Sequence, residues 1–459
     1  MFQTGYEKKF LALSSLFTFL LLTALWITST TPVTSLKIFT GIIILILAFL
    51  SVEVALYLLI FSMLLSPEIV VAQTPARDIT MRLEDLLLPV IAMGWLARMA
   101  IHKELGLILK TPLNKPILFY ILANLLSTLY GMAFGRAGLS SGFFFVLKYI
   151  EFFVVYFMVV NHVNTERQVR NFTIALLTTA SIIAIYAILQ IPAGERVSAP
   201  FEGKGGEPNT LGGYLTLIIS LTIGLLLHIK EGRTRLILLG LLSLLTIPFL
   251  HTLSRSSWMA LGGMYLFYLM ISRKKLVFAI ILLLSIVFLP VILPEKVKER
   301  YSETISERPI TPSEQVRVGE YYLDLSASER IKSWGNIIRD WVKKPILGYG
   351  VTGYGFVDGQ YFRTLIEAGL LGLLSLSYLL YSIIKNLYAG LTQVKHPLHT
   401  GLLTGLLAGV IALSAHAIGS NTFIIVRIME PFWFLVGLAM VIISRSEGMD
   451  ITSGVRRLP

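Results

Sequence analysis

The chain has 459 residues, 55% of them hydrophobic and 14% charged, far from the roughly 25% charged of soluble domains. It carries a net charge of +12 and no cysteine, which excludes disulfides, thiolate catalysis and Cys-built metal sites. Apolar runs of about 20 residues, the length that crosses a hydrocarbon core, recur throughout, so the positive balance reads as topology-setting Lys and Arg and not as a nucleic-acid surface.

The expected fold class is all-α: a polytopic membrane helix bundle of about 12–14 transmembrane helices. Spans are predicted near 10–30, 36–50, 52–66, 83–101, 116–133, 141–160, 169–192, 208–229, 234–251, 254–271, 275–293, 358–384, 398–419 and 422–444. Phe10–Ile27 follows Lys8 and Lys9 without a small-residue cleavage site and reads as an uncleaved first span. The run 36–66, interrupted by Glu53, would measure about 46 Å as one helix, too long to cross upright, so it is read as two passes.

With that count, alternate loops collect the positive charge: Lys8/Lys9, Lys103/Lys110/Lys115, Arg167/Arg170, Lys230/Arg233/Arg235, Arg273/Lys274/Lys275, Lys385/Lys395 and Arg445/Arg456/Arg457. Positive loops stay cytoplasmic. Both termini are therefore expected in the cytoplasm, with the loop at 193–207, the break before Arg255 and the long segment 294–357 outside. The domain reading follows: 1–293 as N-terminal spans, 294–357 as a periplasmic loop, 358–444 as C-terminal spans and 445–459 as a cytoplasmic tail.

Within the long loop, Ala327–Val342 places Ile331, Trp334, Ile337, Ile338 and Trp341 at spacings of three and four, an amphipathic helix. Ser328 and Glu329 offer start signals and Lys343-Lys344-Pro345 a stop. Its two tryptophans suit either the headgroup level of a bilayer or packing on the protein's own outer face.

Three polar breaks between apolar runs hold the candidate chemistry. Gly348, Gly350, Gly353 and Gly355 form a turn with φ > 0 positions that delivers Asp358, Gln360, Tyr361 and Arg363 to the mouth of a long helix, with Glu367 one turn deeper. A carboxylate at a helix N-terminus is held ionised by the macrodipole, so Asp358 can accept a proton. The Gly348–Gly353 match to a dinucleotide fingerprint follows a helix and not a strand, so it carries no cofactor. The outer loop contributes Arg196, Glu202 and Lys204, and ends in Pro208 and Asn209, which also fit helix-start chemistry. Arg255 sits in a turn too short to be a loop, beside Ser254, Ser256 and Ser257, and an ionisable group at membrane depth is a functional hypothesis by default. Lys148 and Glu151, three apart on one helix face, pair with each other. The histidines show no HxxxH or HExxH grouping, so neither a metal nor another cofactor is expected.

Five stretches in this order resemble the O-antigen ligase and polymerase (Wzy/WaaL-type) superfamily of bacterial membrane glycosyltransferases: Leu83–Arg98 (LEDLLLPVIAMGWLAR), Arg196 through Gly206-Glu207-Pro208-Asn209, Thr252–Ser257 (TLSRSS), Pro345–Gly350 (PILGYG) and Asp358–Gly372 (DGQYFRTLIEAGLLG). The resemblance implies a GT-C-like fold and a metal-independent, inverting transfer on the periplasmic face. It further implies a glycan donor on undecaprenyl pyrophosphate and a glycan or lipid-borne acceptor. It marks Arg196 and Arg255 as the residues that grip the pyrophosphate; Arg330, on the polar side of the amphipathic helix, is a further candidate for the phosphates by its position. Asn209, Glu202, Lys204, Gln360, Tyr361 and Arg363 are the accompanying substrate-binding candidates. In ligases of the family a histidine stands where this chain has Asp358; that departure favours a polymerase. The competing readings are a lipid-linked oligosaccharide flippase, against which the lack of a visible internal repeat counts, and a non-catalytic scaffold, for which a membrane-depth arginine is a needless cost.

Overall fold

The computed structural model describes residues 51–66, 69–73, 78–81, 110–202, 206–271, 315–319 and 321–446, with a few isolated residues elsewhere. The expected span 10–30, nearly all of 36–50, 83–101 and 275–293, and Lys204 lie outside these residues.

The chain enters as α1 (Val52–Leu65), a hairpin of β1 (Ile69–Gln73) and β2 (Asp78–Met81), then α2 (Asn114–Ala133), α3 (Leu139–His162), α4 (Glu166–Gln190), α5 (Pro208–His228), α6 (Gly232–His251) and α7 (Arg255–Ile271). Strands β3 (Ile305–Ser306), β4 (Arg317–Val318) and β5 (Tyr321–Leu323) form a small antiparallel sheet in the order β3-β5-β4. There follow α8 (Leu325–Trp341), α9 (Gln360–Gln393), α10 (Pro397–Gly419) and α11 (Val426–Ser446). Among the described residues, eight helices (α2–α6 and α9–α11) are long and apolar enough to cross a membrane. The protein is an all-α, polytopic membrane bundle, and the two small sheets are additions to its loops that the expected pattern did not contain.

Local chemistry explains the starts of these helices. Thr165 and Gln168 form a reciprocal capping box before α4, and Pro208 and Pro397 stand in the first turns of α5 and α10. Inside the spans, hydroxyls bond back to their own helix, as Thr216 does to Gly212 O at 2.7 Å and Ser220 to Thr216 O at 2.7 Å. Such back-bonding satisfies these hydroxyls without water. The run 36–66 is broken at Ser51, whose backbone is extended and whose side chain caps α1. At 14 residues, α1 is only about 21 Å long, shorter than a full crossing.

The burial of each span sorts the bundle: 94% of the apolar window is buried in α11, 83% in α5 and 78% in α10, but 28% in α6. So α5, α10 and α11 are the centre and α6 is on the rim. The α5–α10 contact is as close as backbones allow, because Gly224 of α5 meets Gly401 and Gly405 of α10 and any Cβ would run into the opposing main chain. Lipid offers no hydrophobic drive between helices, so such small-residue contacts supply the packing.

Arg427, near the start of α11, is 1% exposed. Its guanidinium donates to Pro200 O at 2.6 Å and approaches the carbonyls of Leu64, Ser66 and Phe201 at 3.5 Å. One side chain thereby ties the end of α1 and the loop before α5 to the core. Helix α9 is not continuous: Gly369 has φ 65° and ψ −165°. The segment after α8 plugs the gap, with Tyr349 N bonding Ile366 O at 3.0 Å, Gly350 N bonding Glu367 O at 2.8 Å and Leu370 N bonding Pro345 O at 2.8 Å. Backbone groups freed at membrane depth are thus paired with protein. Gly348 and Gly350 have positive φ, as the turn chemistry required, and so does Thr352.

Candidate active site

The loop before α5, the α6–α7 turn, α8 and the mouth of α9 converge at one end of the bundle. The α6–α7 turn is tight because Leu253 adopts φ 51° and Thr252 folds back onto Phe249 O at 2.7 Å. Ser254 caps α7 through Ser257 N at 3.3 Å and receives the Ser257 hydroxyl at 2.8 Å. The hydroxyls of Thr252, Ser254 and Ser257 are therefore engaged within the turn. What the turn presents is Arg255.

Arg255 Nη1 lies 2.7 Å from Asp324 Oδ1. Asp324 is the N-cap of α8, its side chain accepting from Ala327 N at 2.9 Å, so the helix begins earlier than Ser328 and Glu329 indicated. Asp324 was missed in the sequence, although an aspartate just ahead of an amphipathic run is a start signal. Arg196 donates from Nε to Thr252 O at 2.9 Å and from Nη2 to Asn209 Oδ1 at 3.4 Å. Arg196 itself thus joins the outer loop to the turn that carries Arg255.

Six residues along α8 from Asp324, about 9 Å of helix, Arg330 Nε lies 3.0 Å from Asp358 Oδ2. The Asp358 side chain is 34% exposed, which leaves it open to the outside. Trp334 donates to Asp358 O at 2.9 Å and stacks on Phe362 with centroids 4.5 Å apart, fixing α8 over the start of α9. Gly359, at φ 96°, is needed there because a Cβ would press on Ile418 O. The apolar side of α8 is divided. Ile337 is buried with Trp334 and Trp341 against the protein, while Ile331, Ile338 and Val342 form an exposed stripe. The two tryptophans thus take the second of their expected uses, packing on the protein's own surface.

The other candidates take inward positions. Gln360 is buried, accepts from Phe423 N at 3.0 Å and donates to Thr364 Oγ1 at 3.2 Å. Tyr361 donates to Ser414 O at 2.7 Å. Arg363 pairs with Glu367 at 3.1 Å, and Glu367 also accepts from Thr352 N at 3.3 Å. Glu202 turns toward Arg427, with 3.8 Å between Oε1 and Nη1, and its other oxygen accepts from Ala199 N at 3.1 Å and Glu207 N at 2.8 Å. Burial pushes the Glu202 carboxyl up to about 7, against the opposing pull of Arg427. Asn209 touches one of the three arginines, Arg196.

Groups that could hold a metal lie elsewhere. Glu166, His396 and His399 each bring one ligand atom within 4.8 Å of the others, a grouping invisible in the sequence because it joins two helices. They stand at the starts of α4 and α10, the ends of those helices remote from Arg196 and Asp358. A cavity of about 600 Å³, lined by His228, Lys230, Arg235, Leu391, Thr400 and Thr404, is also at that remote end.

No curated protein matches the chain. Residues 240–377, from within α6 to within α9, match the family model described as O-antigen ligase. That stretch contains Arg255, Asp324, Arg330 and Asp358, the two ion pairs just described. The chain is a multi-pass membrane protein whose residues 240–377 match the O-antigen ligase family model, which supports the O-antigen ligase/polymerase superfamily.

Proposed function

We propose that this end of the bundle is the active site of an inverting, metal-independent glycosyltransferase. It moves a glycan from undecaprenyl pyrophosphate to an acceptor sugar hydroxyl on the periplasmic face of the inner membrane, with both termini cytoplasmic. The observation that carries the reading is the pair of guanidinium–carboxylate contacts, Arg255–Asp324 and Arg330–Asp358, set about 9 Å apart along one helix. Arginine binds phosphate bidentately and stays charged, so a pyrophosphate entering between these points replaces the carboxylates as partner.

Chemistry follows from that exchange. Release of Arg330 to the pyrophosphate frees Asp358 to take the proton of the acceptor hydroxyl. The acceptor oxygen then bonds to the anomeric carbon from the face opposite the leaving group. The bond from that carbon to the pyrophosphate oxygen breaks, and its electron pair leaves on undecaprenyl pyrophosphate. Arg255, Arg330 and Arg196 stabilise the departing charge, a role that needs no metal. The exposed stripe of α8 lies in the bilayer surface and flanks the lateral entry of the lipid. A carboxylate at Asp358, where ligases of the family have histidine, favours a polymerase over a lipid A-core ligase.

The test is incubation of the purified protein with undecaprenyl-pyrophosphate oligosaccharide in metal-free buffer, with products separated on a gel. A ladder of lengthening glycans is the expected result. A single shifted band that needs an added acceptor would make the protein a ligase. Absence of any product from folded protein that binds the donor would overturn the enzyme reading.

A further inference from the structure

Two cations at the same end of the bundle share an aromatic floor and lack a counter-ion. Lys344 Nζ lies 5.4 Å from the Tyr349 ring centroid, 5.5 Å from that of Phe134 and 5.7 Å from that of Tyr130. The Arg136 guanidinium lies over two of the same rings, 5.3 Å from Phe134 and 5.6 Å from Tyr349. Arg136 Nη1 is buried with no hydrogen-bond partner, and neither cation forms an ion pair among the described residues. The carboxylate nearest in sequence, Asp340, is committed elsewhere. It takes Lys343 Nζ at 2.7 Å and the Tyr354 hydroxyl at 2.8 Å, and these partners hold it below the usual carboxylate range.

Cation–π contact holds each charge in place at about 0.5–2 kcal/mol but does not cancel the repulsion between two like charges, and a buried guanidinium N–H without an acceptor is costly. An anion is what this arrangement lacks. Its surroundings say what the anion is attached to. Phe134, Leu139, Val342 and Ile346 are all exposed around the pair, and aromatic and basic side chains beside exposed aliphatic ones are the composition of a membrane–water interface.

We infer that Arg136 and Lys344 form a binding site for the anionic phosphate headgroup of a membrane lipid, whose acyl chains run along the exposed apolar side chains. Lys344 is roughly 20 Å along the α8 direction from Arg330, so this is a second lipid position and not part of the Arg255–Arg330 site. Lys344 also precedes Pro345, the first residue of the segment that plugs the α9 break. A lipid held there braces that plug. The inference concerns binding only and stands whether or not the transfer reaction is as proposed.

The experiment uses the full-length purified protein and native mass spectrometry of retained lipid, with phosphatidic acid, phosphatidylcholine of the same chain length and inorganic phosphate as probes. Phosphatidic acid should be retained at least about tenfold better than phosphatidylcholine, and that preference should vanish in an Arg136→Gln/Lys344→Gln double variant. Should the double variant not stay monodisperse, the single Arg136→Gln and Lys344→Gln proteins are read instead, each expected to lose part of the preference. A preference that is absent, or unchanged in the variants, overturns the site. Inorganic phosphate binding as tightly as phosphatidic acid would overturn the lipid and leave a free phosphate as the ligand.

Discussion

Arg330 and Asp358, 28 positions apart in the chain, meet at 3.0 Å where α8 crosses the mouth of α9. Neither residue is buried enough to be structural cement: the side chains are 20% and 34% exposed. A pair in that position gains little stability by itself and is free to exchange partners.

If the exchange is the mechanism, removing the base and removing its partner have different effects. Asp358→Asn should lower turnover by about 10²–10⁴-fold, the range of lost general-base catalysis, while donor affinity is kept. Arg330→Ala should weaken donor binding as well. Single-turnover assays alongside donor-binding titrations separate the two, and loss of donor binding in folded Asp358→Asn would make Asp358 a binding residue.

The Arg255–Asp324 contact gives a prediction of opposite sign. Arg255→Ala and Arg196→Ala should abolish transfer and leave folded protein in the membrane. Asp324→Asn keeps an N-cap for α8, since asparagine caps as well as aspartate, but frees Arg255 from its carboxylate. Donor affinity should then rise a few-fold, about 1 kcal/mol. A donor titration showing no gain in Asp324→Asn would mean that the aspartate does not compete with the pyrophosphate.

Glu202 sets a pH dependence. Burial raises its carboxyl from 4.5 to about 7 in the folded protein, so between those values the folded state holds a proton that the unfolded chain has lost. Stability from this group is full below about pH 4.5 and falls as pH rises to about 7, with a loss on the order of 3 kcal/mol. Thermal unfolding in detergent should show a midpoint that declines across this window in the wild type and a flatter profile in Glu202→Gln. Equal slopes would place the titrating group elsewhere.

Gly369 makes the α9 break possible, because a Cβ there would strike the Ile346 carbonyl and φ is 65°. Gly369→Ala should expel the Pro345–Gly350 plug and destabilise the protein by about 1–3 kcal/mol. Circular dichroism and unfolding midpoints measure this; a variant as stable as wild type would show the break to be dispensable.

The absence of native cysteine permits a direct topology test. Phe356 and Gly232 are exposed at opposite ends of the bundle, so Phe356→Cys should react with an impermeant maleimide from the periplasmic side and Gly232→Cys from the cytoplasmic side. Labelling of both from one side would contradict the orientation.

The bundle itself was legible in the sequence because a span announces itself locally, by about 20 apolar residues between polar breaks. The amphipathic period of α8 and the helix-start prolines at 208 and 397 are local signals of the same kind. Arg255 stood out as a charge placed where the lipid makes charge expensive, Asp358 as a carboxylate at a helix start, and Arg196 as a charge in a polar outer break. None of these signals carries a distance. Only the tertiary structure paired Arg255 with Asp324 and Arg330 with Asp358, and turned Glu202 and Gln360 inward. It also set Arg427 among carbonyls of two other segments and split α9 at Gly369. Those outcomes depend on which helices pack together, and that is decided by close backbone approaches such as Gly224 against Gly401 and Gly405, contacts between residues far apart in the chain.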